Sequence, residues 1–350
     1  MNTKKKNEIK KFLPKTLVGY GILAIIPVLV LISLTLGRFP IHVTDAYMIV
    51  ISAVISVITP ISHSVPPPAE TIVLSIRLPR ICAALLVGAA LSVAGASYQG
   101  MFRNPLVSPD ILGVGAGASF GACLAILISG NPVLIQTMAF SGGLIAVGAT
   151  WVLSRLYRSG STLLLVLGGI IVGSVFNALV MIIKTVADPS TKLAEITMWL
   201  MGDLSRINWG DVITVTPLII IGVLFLLAIR WRINILALGE EEATALGINT
   251  RFLGALVIVA ATVITAASVS ISGAIGWVGL VIPHLSRMLV GPEYTKMLPV
   301  SAVMGAAFLL IVDDVSRTAL AVEIPLGILT SLIGAPFFAY LLTRKKVGWS

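Results

Sequence analysis

Two adjacent carboxylates, Asp313 and Asp314, stand in the apolar run GAAFLLIVDDVSR at 305–317, four and three residues before Arg317. Acids at membrane depth either carry protons and cations or neutralise a buried base. Neighbours on a helix point about 100° apart, so this pair does not converge on one proton. The spacing from Asp313 to Arg317 favours an internal ion pair, while Asp314 has no assigned partner. His284 follows Pro283 in ISGAIGWVGLVIPHLSR at 271–287; His42 and His63 are remote, and Cys82 and Cys123 lack metal-type spacing. That set builds no metal centre. Arg77 and Arg80 flank Pro79 in IRLPR, and guanidinium forks of this kind suit carboxylates. No G-x-x-x-x-G-K-[ST] loop occurs, so the chain does not cradle nucleotide phosphates by that route.

The elements that position these groups are membrane spans. Of 350 residues, 57% are hydrophobic and 11% charged, with mean hydropathy +1.04. A span needs roughly 20 apolar residues, and runs at 17–36, 46–58, 81–98, 111–128, 133–153, 162–183, 212–229, 252–271, 297–312 and 325–342 predict about ten, with 275–283 as a shorter piece. The first run is long and has no cleavage site after it, which predicts an uncleaved helix. With the N-terminus in the cytoplasm, seventeen of the 24 Lys and Arg fall on inside segments, and both ends lie inside. The net charge of +9 therefore follows topology rather than nucleic-acid binding. Thirty-two glycines, many within spans, predict close helix packing. No linker divides the chain, which reads as one all-α domain, 1–350, with a tail at 1–16 and a long inside loop at 230–251. In that loop Glu240, Glu241 and Glu242 open a short helix that Gly247 closes.

Several stretches together resemble one family, the FecCD/BtuC-like permease subunits of type II ABC importers for ferric siderophores, haem and cobalamin. They are IRLPR at 76–80, GAALSVAG at 88–95, QGMFRNPLVSPDILGV at 99–114, LALGEEEATALGI at 236–248, GAIGWVGLVIPHLSR at 273–287, GAAFLLIVDDVSR at 305–317 and EIPLGILTSLIGAPFFAYLL at 323–342. The resemblance runs from about residue 70 to the end. It implies ten helices per subunit and a pathway shared with a second permease subunit, identical or a paralogue. It also implies a cytoplasmic ATPase dimer that binds ATP and Mg, an extracytoplasmic binding protein, and a bacterial or archaeal plasma membrane. No cofactor and no catalytic site are expected in the chain itself.

Residue by residue, the resemblance makes Leu238, Gly239, Glu240, Ala243, Leu246 and Gly247 the ATPase-coupling contact. Arg77, Arg80 and, less strongly, Arg317 become docking groups for glutamates of the binding protein, with Asp313 as Arg317's structural partner. Gly273, Gly276, Trp277 and Gly279 form a glycine-broken pathway segment, after which Pro283 and His284 turn the chain into the cytoplasm. Broken helices at membrane depth are tolerated where protein or a water-filled cavity satisfies the backbone. Trp277 stands where relatives usually have Phe. Ser161 and Thr162 match an inner gate and also suit a helix N-cap, and Asn104 and Pro105 form a structural turn. The expected cargo is a ferric siderophore, with cobalamin, haem or molybdate as alternatives. A proton-coupled transporter is the rival class, and Asp313 and Asp314 are its obvious candidates.

Overall fold

The computed structural model describes residues 15–56, 67–156 and 162–343. Among the described residues all regular structure is helical. The chain order is α1 (Lys15–Thr35), α2 (Val43–Ser56), α3 (Pro67–Thr71), a π-helical turn (Ile72–Arg77) and α4 (Leu78–Phe102). A 3₁₀ turn (Pro109–Leu112) leads into α5 (Val114–Ile128), α6 (Pro132–Leu156), α7 (Thr162–Val186), α8 (Lys192–Met201) and α9 (Trp209–Ala228). There follow α10 (Arg230–Leu236), α11 (Glu240–Ala245), α12 (Thr250–Ser272), α13 (Val278–Val290), α14 (Tyr294–Thr318) and α15 (Leu326–Thr343).

The fold is arranged around α4. Its sequence is Ala, Gly and Ser on nearly every side, so neighbouring backbones can approach it all round. As a result 78% of its apolar span is buried, against 28% for α7 and α9. A Cβ at Gly88 would collide with the Gly305 carbonyl of α14, and one at Gly95 with the Gly279 carbonyl of α13. Hydrogen bonds follow the close approach: the Ser92 hydroxyl donates to Ser301 O at 2.8 Å, and the Tyr98 and Thr262 hydroxyls lie 3.1 Å apart. The π turn enters α4 with a wider coil, in which the Leu78 N–H donates to Val73 O.

Helix ends sort onto two faces. On one, Arg77 Nη1 donates to Leu34 O at 2.6 Å, Trp209 Nε1 to Leu74 O at 2.8 Å, and Leu326 N to Gly202 O at 2.9 Å. On the other, Arg287 Nη2 reaches Gln99 Oε1 at 3.2 Å and Tyr294 N donates to Asn234 Oδ1 at 3.1 Å. We call these the Arg80 face and the Arg103 face.

Six helices are long and apolar enough to cross a bilayer alone, namely the one at Pro68–Phe102 and α6, α7, α9, α12 and α14; the other apolar helices are shorter. The structure exchanges one expected span for another. The run at 46–58 gives α2, whose Ala46 and Ile49 pack with Leu34 and Val73 and whose Tyr47 hydroxyl donates to Leu31 O. These partners belong to the Arg80 face, where the chain also resumes at α3, so α2 lies along that face and does not cross. The short piece at 275–283 extends instead into α13, which runs from the Arg80 side to Arg287 on the Arg103 face. The alternation of sides survives because one run leaves the count and the other enters it.

Packing around α4 gives a direct prediction. Gly95→Val forces α13 away from α4 and lowers the yield of monodisperse protein in detergent several-fold, an overpacking cost of about 1–3 kcal/mol or more. Gly148→Val is the control, since a Cβ there meets nothing within 4 Å. Equal yields for the two variants would show that this close approach does not hold the bundle.

Candidate functional site

The break between α12 and α13 is built by backbone geometry. Gly273 ends α12 at φ 66, and a Cβ there would strike the Trp199 carbonyl. Trp277 holds φ 69, a region that bulky residues enter only under constraint. That constraint comes from α15, where a Cβ at Gly334 would strike the Trp277 side chain and the indole lies 6.1 Å from the Phe338 ring. Gly279 is wedged between Leu91 O and the Pro109 ring. Gly273 and Gly279 are therefore buried contacts between helices, whereas Gly276 is exposed with nothing within 4 Å and Trp277 is half-buried. Of the four residues expected in the pathway wall, Gly276 and Trp277 are the two that are not buried.

Pro283 and His284 do not turn the chain as expected. Both are buried inside α13, which continues to Val290 before Gly291 takes φ 92. Pro283 is the sixth of the thirteen residues of α13, where it gives up one intrahelical hydrogen bond without ending the helix. His284 packs against the rings of Phe337 and Phe338, at 6.2 and 6.1 Å, in a three-ring cluster. Among the described residues no three His, Cys, Asp or Glu side chains cluster as a metal site.

On the Arg103 face, α10 and α11 make a stiff projection. Ile233 and Leu236 anchor α10 in the core, and Ala243 is fully buried beneath α11. Gly247 closes α11 at φ 78, with Gly247 N donating to Thr244 O and Ile248 N to Ala243 O. Gly239 begins it at φ 148. Leu238 and Leu246 are left 60% and 63% exposed beside the Glu240, Glu241 and Glu242 carboxylates. Nearby, Asn104 Oδ1 accepts from Leu106 N at 2.9 Å, and Pro105 follows in the same turn. Thr162 is the exposed first residue of α7, and Ser161 lies outside the described residues.

The three arginines expected as exposed docking forks are buried, each at 5% exposure or less, and each has internal partners. Arg77 donates to Leu34 O and Phe39 O, both at 2.6 Å. Arg80 straddles Asp313 at 2.9 Å and reaches Glu323 at 2.9 Å. Arg317 pairs with Asp314, lies 3.8 Å from Asp313, and also donates to the Ser33 carbonyl. Asp314, left without a role by the sequence, accepts from Ser33 Oγ at 2.7 Å. The physical reason is desolvation: a guanidinium this far from water needs acceptors supplied by the protein. Ser33 and Glu323 were missed, and the signal that could have found them is charge balance, three arginines against three acids at adjoining helix ends.

Removing the fully buried member of this network is the costly change. Asp313→Asn leaves Arg80 and Arg317 undercompensated and destabilises the protein by about 3–5 kcal/mol. Glu323→Gln, at a side chain 30% exposed, costs about 1 kcal/mol or less. Thermal unfolding in detergent measures both; equal shifts would contradict the assigned partners.

The profile of the FecCD transport family matches residues 24–344. The molybdate import system permease protein MolB of Haemophilus influenzae is 39% identical over 96% of this chain and 97% of its own length. The cobalamin import system permease protein BtuC of Halobacterium salinarum is 42% identical over 82% of this chain and 78% of its own. A solved structure, described as an inward-facing conformation of a metal-chelate type ABC transporter, superposes with TM-score 0.82 at 37% identity, covering 93% of this chain and 99% of that one. Helical architecture, the glycine-packed α4 and the projecting α11 thus meet in one assignment: the chain belongs to the FecCD transport family of ABC transporter permeases.

Proposed function

We propose that this chain is the membrane conduit of an importer that brings a metal chelate into the cytoplasm by ATP-driven alternating access, with a ferric siderophore as the first cargo. The observation that carries the reading is α11: two exposed leucines, Leu238 and Leu246, flank an acidic helix whose Ala243 is buried against the bundle. Apolar side chains left exposed on such a projection fit a protein partner. In this reading the partner is a cytoplasmic ATPase dimer that holds ATP and Mg and grips the exposed Leu238, Glu240, Leu246 and Gly247, while Gly239 and Ala243, expected in the same contact, are buried and support the projection from beneath. A rigid projection passes motion from that partner to the helices behind it.

The excess of Lys and Arg on the Arg103 face supports a cytoplasmic orientation for that face and for both termini in a bacterial or archaeal plasma membrane. The Arg80 face is then external, and a binding protein delivers cargo there. Since Arg77, Arg80 and Arg317 are occupied internally, the landing surface is the turn after α14, where Leu320 and Val322 are 62% and 76% exposed. A second permease subunit, a copy or a paralogue, completes the pathway beside Gly276, Trp277, Ser161 and Thr162. A second cargo reading, molybdate, is favoured by the match to MolB over nearly its whole length.

Uptake of labelled ferric siderophore, cobalamin and molybdate by cells with and without the gene tests both readings. The account expects loss of one of these on deletion, and a reduction of at least ten-fold by Glu240→Arg at normal membrane abundance. Unchanged uptake of all three cargoes would remove the cargo class, and an active Glu240→Arg protein would remove the coupling role of α11.

A further inference from the structure

A cavity of about 200 Å³ opens on the Arg103 face between the ends of α4, α6, α7 and α12, with α11 at its rim. Arg103, Arg155 and Arg251 line it from three different elements. Among the described residues none of the three takes part in an ion pair, in contrast to the closed network on the opposite face. Glu240 borders the cavity but accepts only from the Thr250 hydroxyl, at 3.5 Å. Glu242 adds a second carboxylate near Arg103, since both side chains approach Gly239, and three guanidiniums against these two acids still leave an excess of positive charge.

Local structure holds these charges in place against simpler alternatives. Arg103 caps α4 in the left-handed region at φ 49, where glycine would cost less. The Arg155 guanidinium stacks 3.8 Å over the Trp151 ring, which restricts its motion. Arg251 sits in the first turn of α12, a 23-residue helix with no acid in that turn, so a cation stands at the positive end of the dipole. Thr162, the first residue of α7, also lines the cavity, so a second helix N-terminus adds to the positive potential. The three guanidiniums are exposed and gathered beside two helix N-termini, so they repel one another, and an anion between them relieves that repulsion. The volume accommodates several groups the size of a water, about 30 Å³ each in the liquid.

We propose that this cavity binds a tetrahedral oxyanion of the phosphate class, either free in the cytoplasm or as the headgroup of an anionic lipid. Guanidinium forks match phosphate oxygens bidentately. A bound anion bridges α4, α6 and α12 beside α11 and stiffens the base of the projection. Binding goes beyond the transport reading and is measured without transport, so either can fail while the other stands.

The test uses the full chain in phosphatidylcholine nanodiscs, with radiolabelled inorganic phosphate in equilibrium dialysis, and in parallel native mass spectrometry of phosphatidylglycerol retained from mixed nanodiscs. Saturable phosphate binding identifies the soluble source; retained phosphatidylglycerol without phosphate binding identifies the lipid. In either case Arg155→Gln/Arg251→Gln weakens the interaction at least ten-fold, while Arg155→Lys/Arg251→Lys keeps part of it. The control Arg230→Gln/Arg232→Gln removes equal charge from α10 and leaves binding intact. Monodispersity and thermal unfolding establish that each variant is folded. Neither probe binding, or equal losses in the cavity and control variants, would overturn the proposal.

Discussion

A charge that leaves water inside a bilayer must be cancelled within the protein, and the Arg80–Asp313 pair does this where α4 meets α14. Neither side chain can be removed alone without stranding the other, which fixes the axial position of the two helices. Gly88 and Gly305 then allow their backbones to touch, and Ser92 bonds across the same contact. Arg317, Asp314 and Ser33 tie α1 to this pair, and Glu323 ties in the turn leading to α15. The Arg80 end of the bundle is a closed polar clasp around an apolar, small-residue core.

The opposite end is built differently. There, among the described residues, Arg103, Arg155 and Arg251 take part in no ion pair, exposed Leu238 and Leu246 flank α11, and α13 ends against Gln99 through Arg287. Between the two ends lies the break at Gly273–Trp277, which divides α12 from a short α13. One end is held by buried charge and the other by an apolar core that includes Ile233, Leu236 and Tyr294. The asymmetry follows from where the acids are: Asp313, Asp314 and Glu323 gather on one face in ion pairs, whereas Glu240, Glu241 and Glu242 are exposed on the other.

Much of the fold was legible in the sequence because hydropathy and charge act locally. The apolar runs mark the helices, the Lys and Arg bias separates the faces, and Gly247 marks the end of α11. What escaped depended on partners distant in sequence. Glu323 lies 243 residues from Arg80, so nothing local to IRLPR shows that its arginine is already occupied. The run at 46–58 is apolar enough to span, yet only the packing of Ala46 and Ile49 on Leu34 and Val73 shows that it lies along one face. Pro283 was expected from the resemblance to turn the chain, but α13 carries it within the helix and runs on to Val290. In the cavity, Arg103, Arg155 and Arg251 are separated by long stretches of chain and come together only through the packing of α4, α6 and α12.

The central claim is that work enters this chain through α11 from a nucleotide-hydrolysing partner, and the direct measurement is transport in proteoliposomes holding the chain with its ATPase subunits and loaded binding protein. The account predicts that cargo crosses toward the Arg103 face only when ATP is hydrolysed on that face, and that an imposed proton gradient has no effect. Cargo movement driven by a proton gradient without nucleotide would contradict it and would return Asp313 and Asp314 to the role of proton carriers.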